Sequence, residues 1–280
     1  LGISRAAVWK GIKTLCALGL DIHRVSGRGY KLATPVAPLD ADAIQAVLAQ
    51  SGRRLPGTLT LLEEIDSTNR FLLKQAPQLV SGSACFAEVQ HRGRGRRGRS
   101  WQATPYRNLV MSFAWRFEAG PGLVAGMSLA AGLAVLRALE QLGVPELGLK
   151  WPNDVLARGR KIAGLLADVQ GEAAGPCLVV LGVGINANIE PAEAARIDQP
   201  WIDVGSLTER PVDRNRLAGL VLAELVRACE GYARAGFAAF RDDWQRHHIY
   251  HAQPVRLVFA DAERPGVVEG VDESGGLWLR

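Results

Sequence analysis

Apolar residues recur along this chain in two periods, and the changes of period mark its elements. Val8, Ile12, Leu15 and Leu18 stand at helical spacing, with Ser4 before them as an N-cap and Gly19 after them as a stop. The stretch from Asp21 to Leu32 reads as two short extended segments around a Ser26-Gly27 turn, the shape of a wing hairpin. Together these 33 residues predict the end of a helix-turn-helix with its wing, the first helix missing. Pro35 and Pro38 then make 34–40 a linker. From residue 41 the pattern alternates: a helix over 41–50, a strand over 58–63, a helix from Ser67, and strands over 84–89 and 108–116. A long apolar helix follows over 122–142, then strands over 147–151, 162–169 and 177–185, with a hairpin turning at Arg158-Gly159. Helices over 214–232 and 237–246 end this region, which extends over 41–252. Such an order predicts an α+β fold, a mixed sheet with helices on one face. Three short strands over 255–259, 267–271 and 277–279 read as part of a small barrel, incomplete in 253–280.

Composition narrows the class without naming a function. With 280 residues, 48% hydrophobic and 22% charged, the chain has the balance of an ordinary globular protein of more than one domain. A net charge of +5 only hints at phosphate-bearing partners. Cys16, Cys85, Cys177 and Cys229 are scattered, with no Cys-x-x-Cys, which argues against a disulfide framework or a zinc ribbon and for a reducing, cytoplasmic setting. The apolar run from Leu123 to Leu136 is interrupted by Gly126, Ser128 and Gly132 and stops at Arg137, short of the roughly 20 residues of a membrane span. It predicts a buried helix and no membrane partner. The chain begins on Leu1, inside the helix-turn-helix pattern, and is expected to be a piece of a longer protein.

Candidate chemistry sits in four places. Arg92-Gly93-Arg94-Gly95-Arg96-Arg97-Gly98-Arg99, followed by Ser100-Trp101, joins glycines that allow close backbone approach to arginines that bind carboxylate and phosphate. Alone this is equally a solvated basic run; its place between two apolar strands favours an anion clamp that orders around its ligand. Lys150-Trp151-Pro152-Asn153-Asp154 puts a cation and a carboxylate side by side at a strand end. Gly164, inside an apolar strand, and Gly182-Val183-Gly184-Ile185-Asn186 suggest a sheet surface stripped of side chains so that a flat ligand can lie on it. The second of these lacks the third glycine and the helix of a dinucleotide fingerprint. Asp66-Ser67-Thr68-Asn69 is equally a plain N-cap or, with Gln90, a polar ligand site. His247, His248 and His251 lie close enough to raise a zinc site, but no glutamate sits between them and Pro254 ends the helix at once. In the N-terminal unit, Ser4, Arg5, Lys10 and Lys13 on the helix and Arg24 and Arg28 in the wing are laid out as a major-groove reader with a backbone-contacting wing.

Four of these segments in register, Gly93 to Trp101, Lys150 to Asp154, Gly159 to Gly164 and Gly182 to Asn186, resemble the biotin protein ligases. The helix-turn-helix and the terminal strands resemble the bifunctional members, which also repress biotin synthesis genes and carry an SH3-like C-terminal barrel. The resemblance implies activation of biotin by ATP with Mg2+ and transfer of biotin to a lysine of a biotin carboxyl carrier protein, with operator DNA as a further partner and a ligand-favoured homodimer. It implies that Ser67, Thr68, Asn69 and Gln90 bind the ureido ring. Gly93, Arg94, Gly95 and Arg96 would then close over the ligand, Lys150 meet its carboxyl end, and Gly164 and Gly184 lie beneath it. Arg96, Arg97, Lys161, Asn186 and Trp201 would lie near the nucleotide, Trp201 as a stacking surface, with Asp154 a candidate magnesium ligand and Lys150, Arg94 and Arg96 the catalytic cations. A lipoate-type ligase shares the chemistry but would want apolar residues around its ring. A ligand-sensing regulator without ligase activity would have no need of Lys150 and the full arginine loop.

Overall fold

The computed structural model describes all residues except 1, 19, 119, 173–174, 190–196, 209 and 260–261. Helix α1 (Arg5–Ala17) starts where Ser4 Oγ accepts the Ala7 amide proton at 3.2 Å. The stop expected at Gly19 lies outside the described residues. The predicted apolar stripe is not buried: Val8, Ile12 and Leu18 are half-covered and Leu15 is exposed. Strands β1 (Ile22–Val25) and β2 (Gly29–Leu32) pair antiparallel as the expected hairpin. The linker has no regular structure, yet it is not loose. Arg214 donates to Ala37 O at 2.6 Å, Asn215 Nδ2 to Pro38 O at 3.4 Å and Arg107 to Pro35 O at 3.4 Å, while the Leu39 amide donates to Glu88 Oε1 at 2.6 Å.

Beyond the linker come α2 (Ala41–Gln50), β3 (Leu59–Ile65), α3 (Thr68–Lys74), β4 (Ser83–Gln90), β5 (Leu109–Phe117), α4 (Met127–Glu140), β6 (Leu147–Lys150), β7 (Asp154–Ala157), β8 (Arg160–Gly171) and β9 (Cys177–Ile185). A short α5 (Val204–Leu207), α6 (Arg214–Ala235) and α7 (Ala238–His247) follow. The seven strands form one mixed sheet in the order β3-β4-β5-β9-β8-β7-β6, with β3 and β4 parallel and the other neighbours antiparallel.

The strands alternate. Phe86, Met111, Phe113, Leu181, Val183 and Ile185 point into one large core with α4 and α6. Their alternate neighbours on the other face, Cys85, Ala114, Leu178 and Val180, meet Leu72, Ala76 and Leu79 in and after α3. The expectation of helices on one face is therefore corrected: α3 covers part of the opposite face. The predicted long helix over 122–142 is also two elements, a 3-10 turn (Pro121–Val124) and then α4. Between them Gly126 lies so close to Phe237 that a side chain there would collide with its ring. The segment Pro121–Glu140 is long and apolar enough to cross a membrane, but it is 72% buried and forms the centre of the core. At the C-terminus β10 (Pro254–Val258), β11 (Glu263–Val271) and β12 (Leu277–Leu279) make a three-stranded antiparallel sheet.

Candidate active site

Where α3 leaves the second face of the sheet uncovered, the alternation of β5, β9 and β8 brings Val110, Gly182 and Gly184, and Gly164 and Leu166 to the groove surface, the last four as cross-strand partners, with Ser112 buried on the same face. The three glycines pave this surface with backbone, and above it opens a groove of about 610 Å³, within the range of small-molecule sites. Ser67, Thr68, Asn69 and Gln90 line it at the α3 side, and Lys150 and Asp154 at the β6–β7 side.

At the first side, Ser67 is both cap and wall: its Oγ accepts the Arg70 amide proton while the residue stays 4% exposed. Gln90 Oε1 accepts from the Thr68 amide at 3.0 Å and from Thr68 Oγ1 at 3.2 Å. Ser112 Oγ bridges Thr68 Oγ1, at 2.6 Å, and Asn69 Oδ1. Asn69 Nδ2 donates to Leu166 O at 3.3 Å and to Asp168 Oδ2 at 2.9 Å. The result is a compact set of hydroxyl and amide groups, suited to a neutral ring that both donates and accepts.

The arginine loop lies across the groove as a folded hairpin. The Gly95 amide donates to Arg99 O at 2.7 Å and the Trp101 amide to Gly93 O at 3.0 Å, with a 3-10 turn (Arg96–Gly98) at the tip. Gly93 is buried under it, and a Cβ there would stand 2.8 Å from Gln90 Nε2 and from Trp101 O. Arg94, Arg96, Arg97, Arg99, Lys150, Lys161 and Arg256 line the groove against one carboxylate among the described residues, Asp154, which pairs with Lys161 Nζ at 2.8 Å. Partial shielding from solvent lowers the pKa of the Arg96 guanidinium, the neighbouring Arg97 lowers it further, and Asp154 opposes both. An anion entering here relieves cation crowding. The Trp101 indole rests on Gly164 and Gly184, and its Nε1 is buried without a partner.

Three predicted site residues do not line the groove. Gly93 lies beneath the loop. Asn186 is buried one layer behind, where its Nδ2 donates to Lys161 O and Ile202 O. Trp201 holds Lys161 through a backbone bridge, and its neighbour Gln199 reaches the groove instead. Sequence reasoning missed Ser112, Asp168, Gln199 and the Arg256 to Phe259 edge of β10, and gave Trp101 no role. Only Gly182 had a signal, since it shares strand parity with Gly184. The histidine cluster does not form a zinc site: among the described residues no three His, Cys, Asp or Glu side chains converge on a common point. His248 instead stacks on Trp244 at 4.6 Å, and His247 Nδ1 bonds to Asp243 O at 2.9 Å. In the N-terminal unit Lys13 Nζ lies 4.0 Å from the centre of the Trp9 ring, while Arg5, Lys10, Arg24 and Arg28 are exposed.

A glycine floor, a polar end and a cationic cover define a class of site, one that joins a carboxylic acid to a phosphate. Residues 61–186 match the biotin/lipoate A/B protein ligase family, and residues 1–31 match a helix-turn-helix domain. The chain is 38% identical to the bifunctional ligase/repressor BirA of Escherichia coli, over 100% of its own length and 85% of that protein. It is 37% identical to the biotin--[acetyl-CoA-carboxylase] ligase of Mycobacterium tuberculosis, over 86% of this chain and 90% of that one. The fold is also that of the Aquifex aeolicus biotin protein ligase in complex with biotin and ATP, with a TM-score of 0.68 and 27% identity over 79% of this chain and 91% of that one. The chain belongs to the biotin protein ligase family, in the form that carries an N-terminal helix-turn-helix domain.

Proposed function

We propose that this protein activates biotin with ATP, releasing pyrophosphate, and passes the biotinoyl group to a lysine of a biotin carboxyl carrier protein. The biotin carboxylate attacks the α-phosphate, the bond to pyrophosphate breaks, and the lysine amine later displaces AMP from the acyl carbon. Two anions must meet in the first step. Unit charges about 4 Å apart repel by about 4 kcal/mol at an effective dielectric of 20. The cationic cover over a backbone floor is the observation that carries the reading, because it supplies the opposing charge in fixed positions.

Ser67, Thr68, Asn69 and Gln90 would take the ureido ring, Gly164 and Gly184 would underlie the ligand, and Lys150, Arg94 and Arg96 would meet the reacting charges. Arg97, Lys161 and, behind them, Asn186 and Trp201 would serve the nucleotide. Magnesium would arrive on the ATP phosphates, where it neutralises charge. With Asp154 already paired to Lys161, a dedicated protein cage for the metal finds no support. The polar ring end favours biotin over lipoate, whose dithiolane offers no donors or acceptors to match it.

The domain division follows the same reading: a partial winged helix-turn-helix over 1–33, a linker over 34–40, the catalytic unit over 41–252, and strands of an SH3-like barrel over 253–280. The exposed Arg5 and Lys10 on the helix and Arg24 and Arg28 in the wing favour a second role, binding of operator DNA as a ligand-favoured homodimer in the cytoplasm. Lys13 would contribute a phosphate contact, and Ser4 the helix start. Biotin-dependent exchange of labelled pyrophosphate into ATP tests the enzymatic role. Exchange with biotin and none with lipoate is expected; equal exchange with both acids would overturn the biotin assignment.

A further inference from the structure

Asp168 stands beside a groove built for anions, outside its lining. It stands on β8 beyond Leu166, on the same sheet face, with 26% of its side chain exposed, and it belongs to none of the motifs that mark the site. Its one oxygen Oδ2 accepts from Asn69 Nδ2 at 2.9 Å and from Arg94 at 2.9 Å. Asn69 belongs to the floor: Gly182 lacks a side chain because the Asn69 amide occupies that space, and Asn69 Oδ1 meets Ser112, which meets Thr68. Arg94 belongs to the cover, at the start of the hairpin whose Gly93 rests on Gln90. One carboxylate therefore joins the groove's polar end to the loop that closes it.

The pair with Arg94 is too exposed to hold the fold together, since Arg94 is 43% exposed, and ion pairs of this kind contribute little to stability. A carboxylate that only filled the surface there would repel an acidic ligand. Placed beyond the polar end and neutralised by Arg94, it does not reach the Lys150 side, where the acid group of the ligand would lie. We propose that Asp168 is a positioning residue, a latch that sets the amide of Asn69 and the closure of the arginine loop together and so controls how long a ring-bearing acid or its adenylate is retained. This rests on the biotin ligase reading for the identity of the ligand, but not for the latch itself.

The test uses the full chain and the variants Asp168→Asn, Asp168→Glu, Arg94→Gln and Arg94→Gln/Asp168→Asn. In Asp168→Asn, loss of one charge-assisted bond should raise the KM for biotin in pyrophosphate exchange by about fivefold to tenfold, with kcat within about twofold, and should speed release of biotinoyl-adenylate by a similar factor; Arg94→Gln is compared by KM and release alone. The melting temperature should stay within about 2 °C, as for a surface pair. Asp168→Glu should recover most of the retention, and the double variant should be no worse than the poorer single one. Values for Asp168→Asn within twofold of wild type, or losses from Arg94 and Asp168 that add, would overturn the latch. If the wild-type chain shows no exchange with biotin, the functional reading fails, and the latch is then read by hydrogen exchange in the unliganded chain. Faster exchange over residues 92–100 in Asp168→Asn supports it, and unchanged exchange refutes it. If Asp168→Asn does not fold, Asp168→Glu and Arg94→Gln decide by the same measurements.

Discussion

At the scale of single residues, the site depends on side chains that are missing as much as on those present. A methyl at Gly184 would run into the Trp101 indole and raise the floor by its own thickness. The clash is with a side chain rather than with backbone, so Gly184→Ala should fold normally. It should raise the KM for biotin by about tenfold or more, the scale of one methyl in a fitted pocket; a KM near wild type would mean that the ligand does not lie on β9. Lys150 is exposed at the edge strand, 6.0 Å from the Tyr250 ring, and among the described residues no carboxylate is bonded to it. Lys150→Ala should slow adenylate formation by about 10²-fold in single-turnover assays, as loss of a charge-stabilising donor does elsewhere. The arginine loop and the glycines were legible in the sequence because each carries its chemistry within a few consecutive residues. Asp168 was not, since its meaning comes from Arg94, 74 positions away, and from Asn69. Asn186 carried a motif signal, but its amide serves the backbone that supports Lys161.

At the scale of elements, period and capping located most boundaries. The helix from Ser67 and the strand over 177–185 follow directly from a capping residue and an apolar run, and β12 from alternation. What escaped was a matter of contact across the fold. The break at Gly126 comes from Phe237, and the second helical layer was hidden because strands covered on both faces read as continuous apolar runs. The turn after α7 carries its own consequence. The Ile249 amide donates to Leu149 O, and His248 is packed 6% exposed against Trp244 with Nδ1 unpartnered. Burial, and after it the charge of His251, pushes its pKa down to about 4. The folded protein thus holds His248 neutral while the unfolded chain takes up a proton below its ordinary 6.5. Stability should fall as pH drops from about 6.5 towards about 4 and level off below, by up to about 3 kcal/mol from this residue. Urea midpoints measured across that range should show the slope, and His248→Phe should flatten it; an unchanged slope would assign it to other groups.

At the scale of the whole molecule, the linker is held to the larger unit by a buried ion pair. Arg214, at the start of α6, donates to both oxygens of Glu88, at 2.7 and 3.0 Å, with side chains 4% and 6% exposed. The same guanidinium holds Asn108 O and Ala37 O, and Glu88 holds the Leu39 amide. Removing one member leaves a buried charge without its partner, which costs about 3–5 kcal/mol. Glu88→Ala should therefore lower the urea midpoint sharply; a midpoint near wild type would mean that solvent already reaches the pair. No reading of residues 34–40 foretold this clamp, because a segment punctuated by prolines announces only the absence of helix. Its effect is mechanical. With the carbonyls of Pro35, Ala37 and Pro38 each bonded to a side chain of the larger unit, and the Ala33 amide donating to Asp21 O within the wing, the joint between the helix-turn-helix module and the ligase narrows to the backbone around Thr34. Such a short joint makes the module a lever arm rather than a bead on a string. In nuclear relaxation the amides of residues 36, 37 and 39 should show order parameters near 0.85, like the sheet, with any drop limited to Thr34.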